Sequence, residues 1–206
     1  MPMTIMEPAP SASRKLTYKE FLARCDENNA AEWVNGKVIP MTVSVDHNNL
    51  SLFLSKMLSE FVMHTNAGEV FVEPFQMKTG PNLPGRSPDV CFLAKEHLTR
   101  LQKNHIEGPA DIVIEIVSPE SVARDRAEKY LEYEQGGVRE YWIIDPLRKQ
   151  ADFYVRGEDG YFHSIYPDAN NRYRSATLEG LWVDAAWFWK SPLPSLWTVL
   201  KAWQLI

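Results

Sequence analysis

The sequence predicts an α/β fold in which a mixed central sheet is flanked by helices. Apolar residues between 50 and 62 recur with the period of a helix, whereas 90–94, 112–117 and 140–144 are apolar runs of strand length. Helical and extended segments alternate only in part along the chain. This favours a mixed sheet with helices on both faces over a purely parallel one.

Length and charge set the first bounds on function. The chain has 206 residues, 45% of them hydrophobic and 24% charged, which is enough for one domain with a substantial core. Residues 1–14, rich in Pro, Ala and Ser, are expected to form a mobile tail before a single domain at 15–206. The net charge of −5 excludes a globally basic nucleic-acid binder, so any DNA contact must come from a local patch.

Cysteine usage and the N-terminus suggest a cytoplasmic protein. The two cysteines, Cys25 and Cys91, form neither a disulfide framework nor a zinc motif. The N-terminus lacks the basic and apolar regions of a signal peptide, and no apolar run reaches membrane-spanning length. We therefore expect no membrane partner.

Local signals mark the elements in the first quarter of the chain. Thr17 and Glu20 have capping-box spacing at the start of a short helix, and Asn35-Gly36 lies between two apolar stretches, as in a tight hairpin. Asp46 begins the clearest helix, whose apolar positions run from Leu50 to Val62.

Apolar runs bounded by turn residues predict the remaining elements. Strands are expected at 70–78, 90–94, 112–117, 140–144 and 152–155, with a Pro/Gly loop at 80–85 and a turn at Asp145-Pro146. Helices are expected from Ser118-Pro119 to Gln135, ending at Gly136-Gly137, and at 194–203 within an aromatic tail.

Glu115 is the one charge in a strand that is apolar on both faces. Alternation puts it on the face opposite to Ile112, Ile114 and Ile116, so the strand is central and covered. A buried lone carboxylate costs several kcal/mol unless it is paired or metal-bound. Glu115 is therefore either an ion-pair partner of an Arg or Lys, or a metal ligand.

Asp89 supplies a second carboxylate, directly after Pro88 at the start of another apolar strand. On its own, an Asp in this position is most often a turn or cap residue. Its significance comes from Glu115, because two carboxylates on adjacent strands repel unless a cation lies between them. An oxygen-only site suits Mg²⁺, for which Mn²⁺ can substitute.

Asp125 and Lys129 lie four residues apart on the helix predicted to follow the Glu115 strand, so they share one face. Most such spacings are surface pairs, and loss of a surface Lys129 would hardly affect folding. The alternative is a functional lysine directed toward Glu115.

Glu32 and His47 complete the candidate set. Glu32 is either a third metal-binding carboxylate or a surface residue at a strand edge. His47 lies three residues before Leu50, near the buried face of its helix, where a packed or capping histidine is the common case. A functional His47 would contact phosphate or water at the positive helix N-terminus.

These residues, in order and spacing, resemble the Uma2 family of the PD-(D/E)XK nuclease superfamily. The similarity covers roughly residues 16–181. It rests on an ordered set of segments: Glu32-Trp33-Val34-Asn35-Gly36, His47, Ser87-Pro88-Asp89-Val90, the stretch 108–121, Asp125, Lys129 and the stretch 137–146. Ala31 and Asn35 replace the family's usual Tyr and Asp. Val117 stands where the superfamily motif has lysine, a departure that the family shares.

The resemblance implies a restriction-endonuclease-like fold and Mg²⁺-dependent hydrolysis of DNA phosphodiester bonds. By the motif, Asp89 and Glu115 would hold Mg²⁺, with the Ile116 carbonyl and Glu32 as further oxygens. Lys129 would replace the lysine missing at position 117. Arg86, Arg124, Arg126 and Lys95 could position the DNA backbone, although each basic residue taken singly is more often solvated surface.

The alternative is a catalytically silent DNA- or protein-binding module on the same scaffold, because a fold does not determine an activity. A homodimer is expected, since two sites are needed to cut both strands of a duplex. The tail also offers exposed apolar surface in Trp182, Trp187, Phe188, Trp189, Trp197 and Trp203.

Overall fold

The computed structural model describes residues 15–23, 31–40, 44–118 and 124–206. The expected mobile tail at 1–14, Cys25 and residues 119–123 of the helix expected from Ser118-Pro119 lie outside the described residues. No helix in the described segments is both long and apolar enough to span a bilayer.

Four α-helices are described: α1 (Tyr18–Leu22), α2 (Val45–Thr65), α3 (Lys129–Gly136) and α4 (Leu196–Ala202). Thr17 and Glu20 form the expected capping box of α1. A π-helical turn at Arg124–Glu128 leads directly into α3, and Gly137, with a φ of 88°, ends that helix. Two further short segments, Lys95–Arg100 and Ala185–Trp189, are 3₁₀-helical.

Thirteen strands follow in chain order: β1 (Ala31–Val34), β2 (Lys37–Pro40), β3 (Gly68–Val72), β4 (Gln76–Lys78), β5 (Gly85–Arg86), β6 (Val90–Ala94), β7 (His105–Glu107), β8 (Ile112–Ile116), β9 (Glu140–Asp145), β10 (Gln150–Arg156), β11 (Phe162–Ile165), β12 (Arg172–Arg174) and β13 (Trp182–Asp184).

The central sheet has six strands in the order β11-β10-β9-β8-β6-β3. Strands β8 and β9 are parallel, and every other pair in this sheet is antiparallel. The predicted mixed sheet is confirmed. A second sheet, in the order β2-β1-β5-β4-β7, carries the hairpin that Asn35-Gly36 predicted, and both turn residues have positive φ (52° and 88°).

Helices cover both faces of the central sheet. Ile112, Ile114 and Ile116 pack in one apolar cluster with the buried residues of α2. Val113 and Val117, on the Glu115 side of β8, pack in a second cluster with Tyr133 of α3. The predicted alternation along β8 is therefore confirmed, and the Glu115 side chain points toward α3.

The predicted strand at 70–78 is wrong in one respect. It is two strands in different sheets, with β3 ending at Val72 and β4 starting at Gln76. Pro74 has no N–H to donate, so it interrupts the ladder and the chain turns. This turn places Glu73 at the end of β3.

The aromatic tail closes one end of the core through a buried carboxylate that sequence analysis did not single out. Glu140, at the start of β9, accepts hydrogen bonds from the Trp142 indole, the Tyr173 hydroxyl, the Ser175 hydroxyl and the Thr177 N–H at 2.7–2.9 Å. Trp142 is on β9 itself, and the other three donors fix the segment around β12 against the central sheet. Strands β12 and β13 themselves were not predicted.

Candidate active site

Three carboxylates lie in one row across neighbouring strands. Val90 of β6 pairs with Val72 of β3 and with Ile114 of β8. Glu73 follows β3 directly and its N–H donates to the Asp89 carbonyl at 3.4 Å, while Asp89 directly precedes β6. The three carboxylates therefore lie at the same end of β3, β6 and β8. Asp89 and Glu115 are both buried.

Asp89 is held at the end of β6 by two groups. Its Oδ2 accepts a hydrogen bond from the Ile116 N–H at 2.6 Å, and its Oδ1 lies 3.3 Å from His47 Nε2. His47 reaches it from the first turn of α2, which Ser44 caps. Burial alone would lower the pKa of His47, but the hydrogen bond and the negative charge of Asp89 outweigh burial and raise it.

The Ile116 carbonyl points toward the Asp89 side of β8. The Val117 N–H donates to the Ile144 carbonyl in the opposite direction, toward β9. Because backbone groups of successive strand residues point to opposite edges, the N–H and C=O of Ile116 both point toward β6. The carbonyl oxygen therefore lies on the same side as the Asp89 carboxylate.

Glu115 has two partners from α3. The Lys129 ammonium lies 2.8 Å from its Oε2, and the Tyr133 hydroxyl donates to its Oε1 at 2.7 Å. Burial and the charge of Glu115 raise the pKa of Tyr133 well above its ordinary value. Tyr133 therefore stays protonated and acts only as a donor here.

Lys129 also contacts Glu32, whose Oε1 lies 3.2 Å from the ammonium. Lys129 is 2% exposed and Glu32 is 0% exposed, so the surface interpretation of each is wrong. A lysine that bridges two buried carboxylates cannot be removed without a cost in stability. The expectation that the fold would hardly notice its loss is therefore wrong as well.

Arg86 extends this network to the surface of α3. It donates to Glu32 Oε2 at 3.0 Å and, bidentately, to Glu132 at 2.7 and 2.9 Å. Although burial would lower its pKa, Glu132 and Glu32 raise it, so it is permanently charged. Charges thus alternate along the chain of contacts from Glu115 through Lys129, Glu32 and Arg86 to Glu132. We call this chain of contacts the buried ion network.

The donor chemistry fits Mg²⁺ at Asp89 and Glu115 better than at Glu32. Among the described residues, no group of three or more His, Cys, Asp or Glu side chains is arranged to hold a metal ion. Two carboxylates and the Ile116 carbonyl nevertheless suffice for Mg²⁺, which usually keeps several waters and binds substrate phosphate. Glu32 has a cation at each oxygen, so it fits a positioning role instead.

Other predicted residues do not join the site or lie outside the description. The side chains of Asp125 and Arg124 are outside the described residues. Arg86 is buried and cannot position a DNA backbone, and Arg126 is paired with Asp152 at 2.6 Å and Asp145 at 3.5 Å. Lys95 lies exposed beside β6.

Sequence analysis missed Glu73 and Tyr133. Burial, followed by repulsion from Asp89, raises the pKa of Glu73 to about 7. Its position opposite Asp89 depends on strand register, for which no short motif gives a signal. Tyr133 lies four residues after Lys129, and this helical spacing could have indicated that it faces Glu115 too.

Comparison with known proteins identifies the family. The family model Uma2, described as "putative restriction endonuclease", matches residues 18–186. The chain belongs to the Uma2 family. This family member also shares its fold with the crystal structure of "a putative nuclease belonging to DUF820" from Anabaena variabilis ATCC 29413. The TM-score is 0.67 with 19% identity over 84% of this chain and 97% of the other. No curated protein matched the chain.

Proposed function

We propose that this Uma2 family member is a Mg²⁺-dependent endonuclease that hydrolyses DNA phosphodiester bonds. One observation carries the proposal. The Asp89 carboxylate accepts a hydrogen bond from the N–H of Ile116, the residue after Glu115, and a lysine ammonium lies 2.8 Å from Glu115. Neighbouring carboxylates with a cation beside them are the groups that metal-assisted phosphodiester hydrolysis requires. The family and the fold support the same reaction class.

Each residue has a distinct role in this mechanism. Asp89, Glu115 and the Ile116 carbonyl would hold the ion. When bound, Mg²⁺ polarises the scissile phosphate and lowers the pKa of an attacking water. Lys129 orients that water or stabilises the negative charge that develops on the phosphate. His47 holds the Asp89 carboxylate, and Glu32 holds the Lys129 ammonium.

A catalytically silent binding module is the second candidate, and the buried ion network favours it. Glu115 is already satisfied by Lys129 and Tyr133, as a purely structural carboxylate would be. The two candidates differ in one measurable property, because only the nuclease needs divalent metal at Asp89 and Glu115.

Metal titration separates these candidates. We expect millimolar Mg²⁺ or Mn²⁺ to raise the melting temperature, because ligand that binds only the folded state stabilises it. The same protein should nick supercoiled plasmid with either ion. Asp89→Asn should lose both effects, whereas Glu179→Gln, at an exposed carboxylate, should keep both. If neither metal raises the melting temperature and neither supports plasmid nicking, the protein would be the silent module.

We also propose a homodimer, because cutting both strands of a duplex needs two sites. The structure weakens the second argument for a dimer, which was the exposed apolar surface of the aromatic tail. Trp187 and Phe188 are buried in the core, Trp182, Trp189 and Trp203 are half-buried, and Trp197 is 63% exposed. We expect light scattering at tens of micromolar protein to give twice the monomer mass. A monomer at that concentration would contradict the proposal.

A further inference from the structure

A cleft of about 570 Å³ is lined at one end by the first turns of α2, the helix that carries His47. It lies between α2, the turn that follows β9 and the segment that precedes α4, so three separate parts of the chain form it. Asn49 and Leu50 of α2 line it, two and three residues after His47. One end of the cleft therefore adjoins the helix turn that contacts Asp89.

Three exposed lysines surround this cleft: Lys56 from α2, Lys149 from the turn after β9 and Lys190 before α4. None of the three forms an ion pair with another described residue. Asp46 is the acidic residue in the lining, so the local balance is positive in a chain whose net charge is −5. We call this feature the lysine cleft.

The floor of the lysine cleft is aromatic. Phe53 and Phe188 are buried there, and the half-buried Trp189 packs edge-on against Phe188 with ring centroids 5.8 Å apart. Trp189 is therefore held by its neighbours while part of its surface stays accessible. Proteins bind single-stranded nucleic acid with this combination of cationic groups around an accessible aromatic ring.

We propose that the lysine cleft binds an unpaired DNA strand next to the candidate active site. The proposal rests on the nuclease function proposed above and adds a substrate class, DNA with a single-stranded segment. The three ammonium groups would pair with backbone phosphates, and Trp189 would stack on a base. Bases inside a duplex are not free to stack in this way. A cleft of about 570 Å³ also has the size of a small-ligand pocket.

Binding should be measured by fluorescence anisotropy with a labelled 15-nucleotide oligonucleotide in EDTA, where no cleavage occurs. The triple variant Lys56→Ala, Lys149→Ala, Lys190→Ala should bind roughly 10-fold more weakly or worse. Its slope of log affinity against log salt should fall in magnitude by about 2, since each lost phosphate contact removes about 0.7. The matched control replaces three exposed lysines elsewhere, Lys19, Lys37 and Lys103, and should bind like the parent.

Trp189 tests the stacking contact separately. Trp189→Leu keeps an apolar side chain in the cleft but has no aromatic face, and it should weaken oligonucleotide binding on the order of 10-fold. Trp197→Leu, at an exposed ring that does not line the cleft, should have no effect. Melting temperatures of both variants report whether the fold is retained.

A blunt duplex in the same assay distinguishes a strand site from a general backbone contact. If the triple variant loses as much affinity for the duplex as for the single strand, the assignment to an unpaired strand would be overturned. Oligonucleotide binding equal to the parent's would overturn the lysine cleft as a DNA site, even if the protein cuts DNA. Lysine-dependent strand binding without metal-dependent cleavage of any DNA would support the cleft and contradict the nuclease.

Discussion

Lys129→Ala should reduce DNA cleavage by about 100-fold or more, because it removes the cation that we propose acts on transition-state charge. It should also destabilise the fold, since the buried carboxylates of Glu115 and Glu32 would lose the ammonium between them. Breaking a buried ion pair from one side costs about 3–5 kcal/mol. Urea unfolding and plasmid nicking, performed on the same preparation, measure the two effects.

A second substitution separates catalysis from stability. Adding Glu32→Gln to Lys129→Ala removes the charge of one of the two carboxylates that lose the ammonium, so part of the lost stability should return. Cleavage should not return, because no ammonium is restored. Cleavage by Lys129→Ala at the parent rate would contradict the assignment of the catalytic lysine. Recovery of cleavage along with stability would show that Lys129 acts only through the fold.

The surroundings of Val117 account for the absence of the superfamily's lysine at this position. Val117 lies on the Glu115 face, as alternation predicted, but it is buried in the apolar cluster that contains Tyr133 and Val113. A lysine at 117 would place a charge among these residues at a high desolvation cost. Lys129 reaches Glu115 from α3 instead, and its charge is balanced by Glu32. Val117→Lys in the Lys129→Ala background tests whether a lysine at position 117 restores cleavage. This double variant must first be shown to fold.

Local patterns were sufficient to predict most elements of the central sheet and its helices. The heptad-like spacing of Leu50 to Val62, the Asn35-Gly36 turn and the apolar β8 run each have a short-range physical cause. Strands β12 and β13 were missed because they are three residues long and depend on contacts with Glu140 and the core. Such strands are stabilised by tertiary packing, which leaves little local pattern.

Strand alternation and sequence motifs predicted which residues belong to the site, but not the strand register or the burial of its charged residues. Alternation put Asp89 and Glu115 on faces that could meet, but register decides which residues are opposite, and it also brings Glu73 to Asp89. The burial of Glu32 and Lys129 could not be inferred, since both types are usually exposed. The buried Glu32 is paired with Arg86, which lies 54 residues away in the chain.

Arg86→Met should destabilise the fold about as strongly as Lys129→Ala. Arg86 is 1% exposed and makes three hydrogen bonds to Glu32 and Glu132, and its loss leaves both carboxylates without this partner. We expect a loss of about 3–5 kcal/mol in urea unfolding. Arg148→Ala is the matched control, because Arg148 is 62% exposed on its side chain and should cost about 1 kcal/mol or less.

The same variant tests whether Arg86 positions the catalytic lysine through Glu32. Combining Arg86→Met with Glu32→Gln and Glu132→Gln removes the charges together, and such replacements are often close to neutral for stability. We therefore expect this triple variant to regain most of the lost stability but to keep a reduced kcat with little change in KM, because Glu32 no longer holds the Lys129 ammonium. A triple variant that cuts at the parent rate would show that the outer half of the buried ion network, Glu32, Arg86 and Glu132, serves the fold alone.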